Sequence, residues 1–111
     1  MIALTVIGRD NAWKSSECII DTGFTDFLTI PPVWIDELGL ERVDCVECEL
    51  ADGSTSVLET FELTVKWDDT QRQILAIAAD GGPLVGMTMM KGYRLTIDIR
   101  PGGEVLLTKV G

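Results

Sequence analysis

Apolar positions along this chain stand in short runs or alternate with polar ones, and they seldom recur at the spacing of a helix. The stretch Ile2–Ile7 is a β-branched run that ends at Gly8, and residues 9–12 read as a turn. A second strand is expected over residues 16–20, leading straight into Asp21, with extended chain again over residues 24–30. Pro31 and Pro32 then open a short helix that runs through Leu38 and stops at Gly39. Trp34 and Leu38 stand four apart, so they share a face that can pack on a sheet. Residues 43–50 and Thr55–Trp67 alternate around a polar tip at 51–54, the pattern of a long hairpin. Further strands are expected over residues 73–79, 93–99 and 104–110, with a small apolar segment at 84–86 and a helical turn at 87–91 closed by Gly92. Closely spaced strands with glycine- and proline-rich turns predict an all-β domain, a small barrel or sandwich with one or two short helices.

Composition narrows what such a domain can do. With 111 residues, 46% of them hydrophobic, the chain is long enough for one domain, residues 1–111, and apolar enough to bury a core. Nine basic against eighteen acidic residues give a net charge of -9, which argues against nucleic acid or an anionic membrane as partner. The chain contains no histidine. Histidine-based triads and histidine-ligated zinc are therefore excluded, and acid–base chemistry falls to carboxylates, Lys, Tyr or Cys. Cys18, Cys45 and Cys48 are an odd set, unlike a disulfide framework, and the first residues lack the basic start of a signal peptide. No apolar run approaches a membrane span. The expected location is the cytoplasm.

The segment with chemical promise is Asp21-Thr22-Gly23, which follows the apolar Cys18, Ile19 and Ile20. A carboxylate at the end of a buried strand is costly unless hydrogen bonds and a partner hold it. The glycine permits a tight turn and keeps the space over the carboxylate open, and the threonine hydroxyl can bond to a neighbouring backbone. Taken alone, the tripeptide also fits a strand that simply ends in a turn.

In context, residues 19–25 resemble the active-site stretch of aspartic proteases: two aliphatic residues precede the aspartate, and Thr25 follows the glycine by two. Some sixty residues on, Leu84, Val85 and Gly86 resemble the apolar-apolar-glycine element that crosses under the catalytic loop in that family, and the tip at 50–54 resembles its flap. The chain is thus similar to retropepsin-like, single-lobe aspartic proteases of the small bacterial and archaeal type in clan AA. That resemblance implies an acid-protease barrel closed by homodimerisation, and an aspartic endopeptidase in which each subunit contributes one catalytic Asp21. Two carboxylates about 3 Å apart would share a proton, as in aspartic proteases generally, and activate a water. No metal and no cofactor are implied. Thr22, Gly23 and Thr25 would support the active-site loop; Ala51, Asp52, Gly53 and Ser54 would form the flap over an extended peptide; Leu84, Val85 and Gly86 would buttress the loop from below. Asp26, where the family often has glycine, would favour a basic substrate side chain or stand as a solvated carboxylate. Thr25 replaces an acidic residue that anchors intersubunit salt bridges in retroviral relatives, and Thr88 replaces a common Asp or Asn. The alternative is a catalytically weak or inactive module of the same fold that dimerises and holds a peptide.

Other features have plainer readings. Cys45 and Cys48 lie three apart on an expected strand, one facing the core and one outward, with no second pair to complete a zinc site. Asp68 with Asp69, and Glu47 with Glu49, read as a charged turn and a solvated strand face. Met87, Met89 and Met90 are expected to fill core, and Trp13, Trp34 and Trp67 to pack.

Overall fold

The computed structural model describes residues 1–49 and 52–110. In chain order it contains β1 (Ile2–Ile7), β2 (Trp13–Ile20), β3 (Leu28–Ile30), α1 (Val33–Leu38), β4 (Arg42–Glu49), β5 (Thr55–Trp67), β6 (Thr70–Ala78), β7 (Leu84–Val85), β8 (Tyr93–Ile97) and β9 (Val105–Lys109). Strands β1, β2, β7, β3, β6 and β5 follow one another in that spatial order, and β5 returns to pair with β1, so six strands close a barrel. The closure is short in places: β1 meets β5 only over Thr5–Ile7, and β2 meets β7 only at Ile19 and Ile20. The chain is therefore all-β, with a single short α-helix among the described residues.

Alternation explains the barrel wall. Along β5 the side chains of Phe61, Leu63, Val65 and Trp67 are buried, while Glu62 and Lys66 are exposed. The core joins Leu4 and Val6 of β1, Cys18 of β2, Leu28 and Ile30 of β3, and Val85 of β7. Helix α1 covers this core with Trp34 and Leu38, as their spacing predicts. It stops where Gly39 takes a left-handed conformation (φ 62°), which its missing side chain makes cheap.

The hairpin of β4 and β5 extends past the barrel. Residues 60–67 of β5 pair with β6, whereas residues 55–59 pair with β4 alone. At the other end of the chain, β8 and β9 form a separate two-stranded sheet that pairs with no barrel strand among the described residues.

Several expectations need correction. Strand β2 begins at Trp13, and β6 at Thr70, because both ladders continue through polar residues that face outward. Residues 24–30 are extended only over Leu28–Ile30, since Gly23 and Phe24 fold back on Asp21 in a turn. Residues 87–91 form hydrogen-bonded turns and no helix; contacts from Thr88 and Arg72 hold this segment by its polar groups. Met89 and Met90 are core residues, but Met87 is half exposed. Trp34 and Trp67 are buried, whereas Trp13, opposite Ile7 at the end of the β1–β2 ladder, is 68% exposed. Cys45 is exposed, and the side chain of Cys48 lies outside the described part of the structure. No described helix is long and apolar enough to cross a membrane.

Candidate functional site

The site is built around β7, a strand of two residues. Leu84 and Val85 run parallel to Ile19 and Ile20 of β2, and Val85 also pairs antiparallel with Leu28 of β3. The chain from Asp21 to Phe27 must therefore bridge from β2 to β3 across the end of β7. It is tied there at several points. Asp21 N–H donates to the Val85 carbonyl at 3.0 Å, Gly86 N–H to Phe27 at 2.9 Å, and Met87 N–H to Phe24 at 2.8 Å. The Thr88 hydroxyl donates to the Thr25 carbonyl. Gly86 is required sterically, because a β-carbon there would collide with the Asp26 carbonyl oxygen and the Phe24 ring.

Asp21 is half-buried, and its Oδ1 accepts the Gly23 N–H at 2.9 Å. This side chain-to-backbone bond fixes the carboxylate relative to its own turn. Oδ2 has no hydrogen-bond partner among the described residues. Thr22, Thr25 and Asp26 are exposed around it. Thr22 also lines a cleft of about 430 Å³ with Met87, Met90, Tyr93 and Leu95.

The sequence-derived residues thus divide into two groups. The loop residues Asp21, Thr22, Gly23, Thr25 and Asp26 and the supporting Leu84, Val85 and Gly86 come together as one hydrogen-bonded unit. Of the expected flap, Ala51 lies outside the described residues, as does Leu50. Asp52, Gly53 and Ser54 sit at the hairpin tip and make no hydrogen bond to the Asp21 loop among the described residues. There the Ser54 hydroxyl and backbone N–H both donate to Asp52 and hold its carboxyl below the usual carboxylate range.

Two contributors escaped the sequence reading. Thr29, buried in β3, accepts the Leu84 N–H on its hydroxyl at 2.9 Å and so fastens β7 in place. Arg72 donates to the Met89 carbonyl at 3.2 Å and lies 5.7 Å from the centre of the Phe27 ring, bracing the far end of the loop. A threonine inside an apolar triplet was the only sequence signal for the first, and nothing local marks the second. Among the described residues no three His, Cys, Asp or Glu side chains converge as a metal site.

No protein-family model matches this chain, and no curated protein or solved structure does either.

Proposed function

We propose that the chain is an aspartic endopeptidase, active as a two-fold homodimer that brings two Asp21 carboxylates into one site. The observation that carries this reading is the mounting of Asp21. Its backbone is tied to β7, one carboxylate oxygen is engaged by Gly23, and the other is unengaged by any described residue. One such group cannot act as both base and acid on the same bond, which is why the reading requires a second copy placed on a symmetry axis.

With two Asp21 side chains in contact, one ionises and the other keeps its proton, as in aspartic proteases generally. The ionised carboxylate takes a proton from a bound water as the water oxygen attacks the scissile carbonyl carbon. The protonated carboxyl gives its proton to the carbonyl oxygen. Collapse of the tetrahedral intermediate breaks the C–N bond, and the amine leaves with a proton returned by the pair. The apparent pKa values would belong to the pair. The substrate would lie extended beneath the hairpin of β4 and β5, its main chain pairing like an added strand. Exposed Thr22 is free to reach a partner loop, and exposed Asp26 to meet a basic substrate side chain.

The test is a peptide-library digest from pH 3 to 8 with wild type and Asp21→Asn in parallel. Cleavage should fall by roughly a thousandfold or more in the variant while its self-association persists. Equal cleavage by the two proteins would refute the mechanism. Peptide binding without cleavage by wild type would support the non-catalytic alternative instead.

A further inference from the structure

Trp13 lies on the outer wall of the barrel and is 68% exposed, although burying so large a ring is ordinarily favourable. Strand register shows what surrounds it. Ile7 pairs with Trp13 and Thr5 with Ser15 on the β1–β2 ladder, and Thr5 pairs with Lys66 on the β1–β5 ladder. Directly opposed residues point to the same side of a sheet, and the intervening Leu4, Val6 and Val65 are buried in the core. Trp13, Ile7, Thr5, Ser15 and Lys66 therefore share the outer face. With Asn11 they line a cleft of about 270 Å³, near the lower limit for small-molecule sites. Trp13 opens β2 and Asp21 follows its last residue, so roughly 25 Å separates the two at about 3.3 Å per residue.

Charge and shape select the occupant. No acidic side chain lines the cleft, in a chain that has eighteen, so a cation finds no counter-charge there. Lys66 is its one basic residue, and the net charge of -9 repels anions from the molecule as a whole. A neutral ligand is favoured. The apolar residues of the lining are Trp13 and Ile7 alone, too few for the contiguous apolar centre of a protein interface. Polar groups border them instead. The Thr5 and Ser15 hydroxyls bond to each other at 2.7 Å, which leaves one O–H and several lone pairs for a third partner. The Asn11 amide supplies donors and an acceptor, and Lys66, which joins no ion pair among the described residues, supplies donors. One flat aromatic ring bordered by hydroxyl and amide groups matches a pyranose, which has an apolar C–H face and a hydroxyl-bearing edge.

We infer that this cleft binds a neutral hexopyranose, its C–H face stacked on Trp13 and its hydroxyls bonded to Asn11, Ser15 and Lys66. The site is separate from the Asp21 loop and takes no part in peptide hydrolysis.

Titration of the isotopically labelled full chain, followed by nuclear magnetic resonance, tests this. Methyl β-glucopyranoside or methyl β-galactopyranoside should move the Trp13 indole N–H resonance saturably, while those of the buried Trp34 and Trp67 stay in place. Trp13→Ala changes an exposed side chain, so circular dichroism should show an intact fold. Its affinity, read from the Ser15 amide resonance, should fall roughly tenfold or more. Asn11 has a left-handed backbone (φ 61°), which Asn11→Gly preserves while removing the amide; that variant should bind about threefold or more weakly. Asp21→Asn should bind the sugar as wild type does. The absence of a saturable shift with both glycosides would overturn the inference, and so would undiminished binding by Trp13→Ala. Tighter binding of adenosine than of either glycoside would overturn it too, since the ring would then be a platform for a base.

Discussion

Cys18 lies three residues before Asp21 and is fully buried in the core. Burial pushes its thiol up from 9.0 to about 11, because the thiolate would be stranded away from water. A group whose folded pKa lies above its unfolded value favours the fold fully below the unfolded value, and that contribution is lost as pH rises through the folded one. Stability should therefore fall between pH 9 and about 11, by on the order of 2–3 kcal/mol from this group. The Tyr93 hydroxyl is raised as well, chiefly by its hydrogen bond to Asp68, so the Cys18 contribution has to be isolated by a variant. The clean measurement is the difference in urea-unfolding free energy between wild type and Cys18→Ala, taken at several pH values. The variant loses a constant amount for the smaller side chain, so the gap should narrow above pH 9; a gap independent of pH would show that the thiol does not contribute in this way. The thiol's role is thus one of packing beneath the Asp21 loop, with no nucleophilic character at neutral pH.

Among the elements, β7 decides the geometry of the site although it is only two residues long. Its ladders to β2 and β3 place the Asp21 loop, and the Thr29 hydroxyl supplies an acceptor for Leu84 N–H that neither ladder provides. Thr29→Val keeps the shape but leaves that part-buried N–H unpaired, which should cost about 1–3 kcal/mol in urea denaturation. Thr29→Ser retains the acceptor and should cost less; a larger loss in the serine variant would mean that the methyl group matters more than the hydrogen bond. This element also marks how far the sequence could be read. The limits of β1 and β5 were legible because a β-branched run ends at Gly8 and because polar turns flank residues 55–67. The loop residues and Leu84, Val85 and Gly86 were legible as a recurring local pattern, but Thr29 and Arg72 act across 55 and 17 residues of sequence, where local pattern carries no information. Residues 87–91 misled for a similar reason: Met and Lys favour a helix locally, yet the Thr88 hydroxyl and the Met89 carbonyl are claimed by distant partners. Trp13 was expected to pack because of its size, but strand register places it at the end of a ladder, opposite Ile7, where it stays 68% exposed.

At the scale of the whole molecule, the closed barrel presents the Asp21 loop at its surface and leaves the carboxylate half-buried, so a single chain offers one acid where the proposed chemistry needs two. Subunit mixing turns that requirement into arithmetic. Wild type and Asp21→Asn are combined in equal amounts at a fixed total concentration and left to exchange. If association is random and indifferent to the substitution, about one quarter of the dimers carry two aspartates, and activity should settle near one quarter of the pure wild-type value. A chain that acts by itself would give about one half. The two outcomes differ by a factor that ordinary rate measurements resolve, and the result does not depend on knowing the natural substrate. Settling at one half would leave Asp21 free to be catalytic but would remove the pairing of carboxylates, and with it the reason for expecting this acidic chain to self-associate in order to work.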